Sequence, residues 1–91
     1  MSTVHIVLNY NEYPVVIMMK LRIRDMREDR DLSQRKIAEY LQCDQSLYSK
    51  YEREKRDVPL HILVELALFY HTSIDYLVGL TNEPKPYKRS T

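Results

Sequence analysis

The amino-acid sequence predicts an all-α domain made of five short helices, which together occupy residues 19–80. Two observations favour this fold class. Apolar residues recur three and four positions apart along the region, which is the spacing of one face of an α-helix. Residues that favour helix starts, such as Ser33 and Asp44, stand just before several of these segments. At 91 residues the chain has room for one domain with a modest core.

Each helix is predicted from its own apolar residues and end signals. Ser33 and Asp44 are suited to cap the second and third helices. Pro59 fits the first turn of the fourth helix, and Gly79 is suited to end the fifth. The predicted ranges are about 19–29, 33–41, 44–53, 59–70 and 74–78.

The two ends of the chain have a different character. Residues 1–18 contain two β-rich runs separated by residues typical of a loop, which predicts a β-strand or hairpin extension that could act as a dimerisation arm. The alternative is that Met18 or Met19 is the natural start, so that the preceding residues form an extension without a selected role. Residues 81–91 have few apolar side chains and are predicted to form a flexible tail.

The composition excludes several classes of protein. The formal net charge is +1, so charge alone does not indicate nucleic-acid binding. No apolar run approaches the roughly 18 residues that a membrane span needs. The N-terminal segment lacks the basic start of a secretion signal, and a single cysteine forms no internal disulfide. We therefore expect a cytoplasmic protein that does not bind membranes.

The sequence contains no pattern typical of catalysis or metal binding. His5, His61 and His71 have no metal-ligand spacing with Cys43 or with each other. Gly79 is the only glycine, so a glycine-rich phosphate loop is excluded. Because no nucleophile is paired with a base at a recognisable spacing, we expect neither an enzyme nor a bound cofactor or metal.

The second and third predicted helices carry the strongest functional signal. They are short and joined by a tight link, an arrangement in which the second helix projects its first residues outward. Such a helix fits the DNA major groove, where glutamine suits adenine, lysine suits guanine or phosphate, and serine suits either. The outer face of the third helix carries Gln45, Ser46, Ser49 and Lys50, with Arg53 following.

Five segments in this order resemble the lambda repressor/Cro family, also called the xenobiotic-response-element family. They are residues 32–41 (LSQRKIAEYL), 44–52 (DQSLYSKYE), 55–59 (KRDVP), 63–67 (LVELA) and 72–79 (TSIDYLVG). The resemblance implies a five-helix DNA-binding domain in which the second and third helices form the helix-turn-helix that reads DNA. It also implies that Gln34 binds a DNA phosphate and that Arg27 and Glu52 form a buried ion pair between the first and third helices.

We therefore predict a DNA-binding set drawn from both helices and their link. Its members are Gln34, Arg35, Asp44, Gln45, Ser46, Leu47, Ser49, Lys50 and Arg53.

The chain departs from the family pattern at several positions. Asp31, Gln42 and Glu54 stand where the family usually has glycine, so these turns are either strained or built differently. Lys36 replaces the usual glutamate, which removes the capping box after Ser33. Leu47 replaces a small polar residue on the DNA side, where it could touch a thymine methyl group or indicate an altered DNA face.

These residues predict a DNA-binding transcriptional regulator that acts as a homodimer on a pseudo-palindromic operator. We expect it to be a repressor. A dimer is expected because one recognition helix makes too few base contacts for useful affinity. Its surface is predicted at Tyr76, Leu77 and Leu80, or alternatively in strands paired over residues 3–19. One alternative function is an antitoxin-type module whose main partner is a toxin protein. Another is a protein-interaction module that has lost DNA binding.

Overall fold

The computed structural model describes residues 20–88, and over this range the chain forms five helices and no strand. They are α1 (Ile23–Asp29), α2 (Gln34–Leu41), α3 (Gln45–Glu52), α4 (Leu60–Tyr70) and α5 (Ile74–Leu77). The all-α prediction is confirmed for the described residues. The extension predicted over residues 1–18 lies outside them. No helix between residues 20 and 88 is long and apolar enough to cross a membrane.

Each of the five helices contributes one fully buried side chain to a single core. These side chains belong to Ile23, Ile37, Tyr48, Leu66 and Leu77, all of which are 0 % exposed. The helices are amphipathic, so their apolar faces meet in the core while their polar faces remain in water. The predicted placement of Leu77 on a dimer surface is wrong, because this side chain lies entirely inside the protomer.

The first helix begins later than its apolar spacing predicted. The backbone N–H of Arg22 donates to the carbonyl of Leu77 at 2.7 Å, and the Arg22 guanidinium donates to the carbonyls of Tyr76 and Thr81, both at 2.7 Å. Because Arg22 is bound to the end of α5, the chain enters α1 only at Ile23.

The helix starts differ in how they are capped. Ser33 and Ser73 have extended backbones, and their hydroxyls accept the N–H of Lys36 and of Tyr76, each at 3.0 Å. Asp44 also has an extended backbone, but its side chain accepts no capping hydrogen bond. The prediction that its carboxylate caps α3 is therefore wrong, although the residue does stand at the N-cap position.

Residues with left-handed backbones end the first four helices. Asp31, Gln42 and Glu54 have φ angles of 54°, 58° and 57°, and His71 has a φ angle of 58°. The residue after each one donates back five positions, as when Cys43 N–H binds the Ala38 carbonyl at 3.0 Å. This is the Schellman motif that glycine usually completes. The first three turns thus keep the glycine geometry. Gln42 and Glu54 do so at a cost of roughly 1–2 kcal/mol each, whereas aspartate tolerates this conformation better. His71 is a fourth such residue, which was not predicted from the sequence.

Glycine at two of these turns is expected to stabilise the protein. We expect Gln42→Gly and His71→Gly each to raise the free energy of unfolding by about 0.5–1 kcal/mol, because relief of the left-handed strain exceeds the added entropy of the unfolded chain. Thermal unfolding should show midpoints a few degrees higher, by about 4–8 °C per kcal/mol. Glu39→Gly, in the exposed interior of α2, is the control and should lower stability by about 1 kcal/mol. A loss of stability in Gln42→Gly would contradict the backbone strain inferred at Gln42.

Residues 81–88 follow the surface of α5 back towards α4. The Thr72 hydroxyl donates to the Pro84 carbonyl at 2.6 Å, and the Tyr87 hydroxyl donates to Asp75 Oδ2 at 2.6 Å. This part of the segment predicted as a flexible tail is thus in contact with the domain, whereas its mobility stays a prediction.

Candidate nucleic-acid interface

The second and third helices form a compact unit joined by a short link. The left-handed Gln42 ends α2, and Cys43 and Asp44 lead directly into α3. Cys43 is half-buried and packs against the core. Burial, followed by the nearby Asp44 charge, raises the pKa of the Cys43 thiol and keeps it in the neutral form. The link residue therefore serves packing, as expected for a small side chain at this position.

The third helix has one buried face and one polar outer face. Tyr48, Tyr51 and Glu52 are buried, with exposed fractions of 0 %, 5 % and 8 %. The side chains on the outer face are small or flexible and can form hydrogen bonds. Gln45, Ser46 and Lys50 are exposed, and Ser49 is half-buried. This division follows the helical period, which places residues 48, 51 and 52 on one side of the axis.

Six of the nine predicted DNA-binding residues line one shallow concave surface. They are Gln34, Gln45, Ser46, Ser49, Lys50 and Arg53. All six are hydrogen-bonding side chains, and two are cations. Arg53 is oriented by a bond from its Nε to the Ser49 hydroxyl at 3.2 Å. The surface therefore offers both positive charge for phosphate and varied donors and acceptors for base edges.

The other three predicted residues lie outside this concave surface. Arg35 is exposed and forms an ion pair with Glu39, with Nε and Oε2 separated by 3.8 Å. Asp44 is exposed at the start of α3. Leu47 is half-buried and packs against the core, which accounts for an apolar side chain at this position. The structure thus gives Leu47 a packing role, and its predicted contact with thymine stays a prediction.

A hydrogen-bonded cluster around Glu52 holds the concave surface in place. Arg27 binds this carboxylate in two places, with Nε to Oε2 at 2.6 Å and Nη2 to Oε1 at 3.0 Å. The Tyr48 hydroxyl donates to Oε2 at 2.5 Å, and Gln34 Nε2 donates to Oε1 at 3.0 Å. The pair of Arg27 and Glu52 therefore belongs to a cluster of four residues that joins α1, α2 and α3. We refer to these residues as the Glu52 cluster.

Two members of the Glu52 cluster were missed by sequence reasoning. Tyr48 lies four residues before Glu52 on α3, so helical spacing was the signal that could have found it. Gln34 was assigned to a DNA phosphate by resemblance, and the structure shows its amide donating to Glu52 as well as lining the concave surface. A glutamine amide has two donor hydrogens and an acceptor oxygen, so this bond leaves groups free for a second partner.

The protonation states of the cluster are fixed by its hydrogen bonds. Burial raises the pKa of the Glu52 carboxyl, but hydrogen bonds from Arg27, Tyr48 and Gln34 outweigh burial and hold that pKa below its ordinary value. Burial and the bond to Glu52 raise the pKa of Tyr48. The bond to Glu52 likewise raises the pKa of Arg27. Near neutral pH the cluster therefore contains a carboxylate, a guanidinium and a neutral phenol.

The lowered pKa of Glu52 predicts a loss of stability in acid. A carboxyl whose pKa is lower in the folded state contributes stability that is present above its unfolded pKa of about 4.3 and is lost as the pH falls through the folded value. We expect urea unfolding at pH values from 7 to 3 to show this decline. Glu52→Gln should be less stable at pH 7 but should depend less on pH over the acid range. If the stability of both proteins depends equally on pH, the loss of stability in acid does not come from Glu52.

The comparisons with known proteins agree with this geometry. A family model described as helix-turn-helix matches residues 23–77. An uncharacterized HTH-type transcriptional regulator of Bacillus subtilis strain 168, YobD, is 40 % identical over 65 residues, covering 71 % of this chain and 58 % of the relative. ImmR, an HTH-type transcriptional regulator of the same organism, is 34 % identical over 58 residues, covering 64 % and 46 %.

A third relative comes from a phage of a different bacterium. The cryptic phage CTXphi transcriptional repressor RstR of Vibrio cholerae is 34 % identical over 62 residues, covering 68 % of this chain and 56 % of the relative. The chain thus spans about half the length of the curated relatives that it matches. No solved structure gives a significant match.

Proposed function

This chain belongs to the helix-turn-helix family of transcriptional regulators of the Cro/C1 type, and from that membership we propose that it represses transcription by binding a specific operator. In this proposal α3 lies in the major groove of DNA. The operator is pseudo-palindromic, and two copies of the chain read its two halves. Repression is proposed because the relative RstR is named a transcriptional repressor.

The observation that carries this proposal is the concave surface on α2 and α3. Its six lining side chains include the cations of Lys50 and Arg53 and no carboxylate. Glu52, the residue before Arg53, is turned inward and bound by Arg27, so its charge does not oppose a phosphate. A surface with this composition suits a polyanion even though the whole chain is nearly neutral.

Each residue of the surface has a chemical role in this proposal. Gln45 can accept and donate to the adjacent acceptor and donor of adenine. Lys50 suits guanine or a phosphate, and Arg53 suits a phosphate. Gln34, oriented by Glu52, binds a phosphate at the edge of the groove. The Glu52 cluster fixes the angle at which α3 presents these groups.

Selection of bound sites from random DNA duplexes tests the proposal. The wild-type protein should enrich an inverted repeat whose half-sites are about 10 base pairs apart. Gln45→Ala should relax the preference at one position in each half-site and weaken binding by about 1–3 kcal/mol. Lys50→Ala should also weaken binding. Arg24→Ala is the matched control, because Arg24 lies on α1 outside the concave surface, and it should leave DNA affinity unchanged.

The salt dependence of binding provides an independent check. Affinity for the selected duplex should fall steeply as salt rises, because cations on the protein release counterions from the DNA. Lys50→Ala should show a shallower slope than the wild type. If the wild type enriches no sequence, or if binding does not depend on salt, the proposed function is wrong.

A further inference from the structure

Among residues 20–88, the exposed apolar side chains are concentrated around one side of α4. Three of them lie four residues apart on this helix: Leu60 is 68 % exposed, Val64 39 % and Leu68 43 %. Since residues four apart share a helix face, they form a continuous stripe. Two tyrosines flank it, Tyr40 at 41 % and Tyr87 at 64 % exposure. We call these five residues the α4 face.

The flanking tyrosines are held in position by the domain. The Tyr40 ring lies 4.5 Å from the ring of Phe69, and its hydroxyl donates to Glu65 Oε1 at 3.2 Å. Tyr87 donates to Asp75, and its side chain lines a groove that it shares with Val64 and Leu68. An apolar surface that is both exposed and fixed in shape is typical of an interface.

We propose that a second copy of this chain covers the α4 face, with the two α4 helices packed antiparallel around a two-fold axis near Val64. This inference rests on the proposed function, in which two copies bind one operator. A two-fold interface uses the same surface on both copies, so the surface must be complementary to itself. The α4 face shares no residue with the concave surface, and a partner packed there leaves the concave surface free for DNA.

The apolar stripe meets the requirement of self-complementarity. With a rise of about 1.5 Å per residue, Leu60 and Leu68 lie about 6 Å on either side of Val64 along the helix. Reversing the second helix therefore brings Leu60 opposite the partner's Leu68 and returns Val64 to the axis. Side chains spaced in this way can interdigitate between two packed helices.

The polar side chains beside the stripe are complementary in the same arrangement. His61 and Glu65 are exposed and lie four residues apart along the same side of α4. Reversal brings the partner's His61 to within about 3 Å of Glu65 along the helix axis. The Tyr40 hydroxyl holds the Glu65 carboxylate at the edge of the face, where a histidine from the partner can reach it. Each interface thus contains two such pairs.

Sedimentation equilibrium over a concentration series tests the interface with the full chain. The wild type should dimerise, and Leu60→Glu should raise the dimer dissociation constant about a hundredfold or more. Leu80→Glu is the matched control, because Leu80 is 53 % exposed and lies outside the α4 face. It should leave the constant within about threefold of the wild type. Circular dichroism and thermal unfolding show whether each variant retains its fold.

A charge exchange tests the antiparallel arrangement. Glu65→Lys should weaken the dimer, and the added change His61→Glu should restore it, because the two introduced side chains then face opposite charges in the partner. Failure of the double variant to recover the constant overturns the antiparallel pairing. A wild type that stays monomeric overturns the inference and leaves the α4 face to a different protein. The inference also fails if Leu80→Glu dissociates the dimer while Leu60→Glu does not.

DNA binding separates this inference from the proposed function. Leu60→Glu should bind a duplex carrying a single half-site as the wild type does and lose only the added affinity for the complete repeat. A wild type that dimerises through the α4 face but binds no DNA contradicts the proposed function and leaves the interface standing.

Discussion

Arg27→Ala is expected to lower the free energy of unfolding by about 3–5 kcal/mol. The Glu52 side chain is 1 % exposed and the Arg27 side chain 12 %, so removing the guanidinium leaves a buried carboxylate without its charged partner. The carbonyl of Leu32, which accepts from Arg27 Nη1 at 2.7 Å, loses a donor as well. Urea denaturation at neutral pH measures the change.

An exposed arginine on the same helix provides the control. Arg24 pairs with Glu28 through Nε and Oε2 at 3.2 Å, and their side chains are 62 % and 50 % exposed. Because water screens such a pair, Arg24→Ala should cost less than about 1 kcal/mol. If both alanine variants lose the same stability, the Glu52 cluster does not hold the three helices together. Arg27→Ala should also weaken DNA binding, since α3 would lose its support.

Gly79→Ala is expected to lower the free energy of unfolding by about 3 kcal/mol. Gly79 has a φ angle of 86°, and a Cβ at this position would lie 2.7 Å from the backbone nitrogen of Lys20 and 2.8 Å from its carbonyl oxygen. These contacts are with backbone, so rotation of a side chain cannot relieve them. The substitution forces the segment before α1 away from the end of α5.

The neighbouring residue serves as the control for Gly79. Leu80→Ala removes a side chain that is 53 % exposed and should change stability by less than about 0.5 kcal/mol. Thermal unfolding of both variants makes the comparison. A Gly79→Ala protein as stable as the wild type would show that the start of the domain does not pack against this glycine.

The helices were largely predictable because each one buries an apolar face. Ile23, Ile37 and Leu66 follow the helical period, and that period alone places them in the core. Helix ends were harder to predict. Arg22 leaves the helical path because it binds the end of α5, a contact between residues far apart in sequence that local spacing does not contain. His71 likewise adopts a left-handed backbone, which histidine visits more often than most residues but not often enough to predict it at this position.

The residues of the candidate site could be predicted from the sequence, but the hydrogen bonds that join them across helices could not. The polar face of α3 follows from helical spacing, and six predicted residues do meet on one surface. The bond between Gln34 and Glu52 joins two helices, so it depends on how those helices pack. The same holds for Leu77, whose apolar side chain suits a dimer surface and a core equally well until the packing is known.

Because the two faces of α3 have different roles, they are expected to tolerate substitution differently during evolution. Tyr48 and Glu52 face the cluster, whereas Gln45, Ser46 and Lys50 face outward. Substitutions at the outer positions leave the four-residue cluster intact, so new target sequences are accessible without loss of the fold. A change at Arg27, Gln34, Tyr48 or Glu52 disturbs partners on other helices, so these four positions are expected to vary together or not at all.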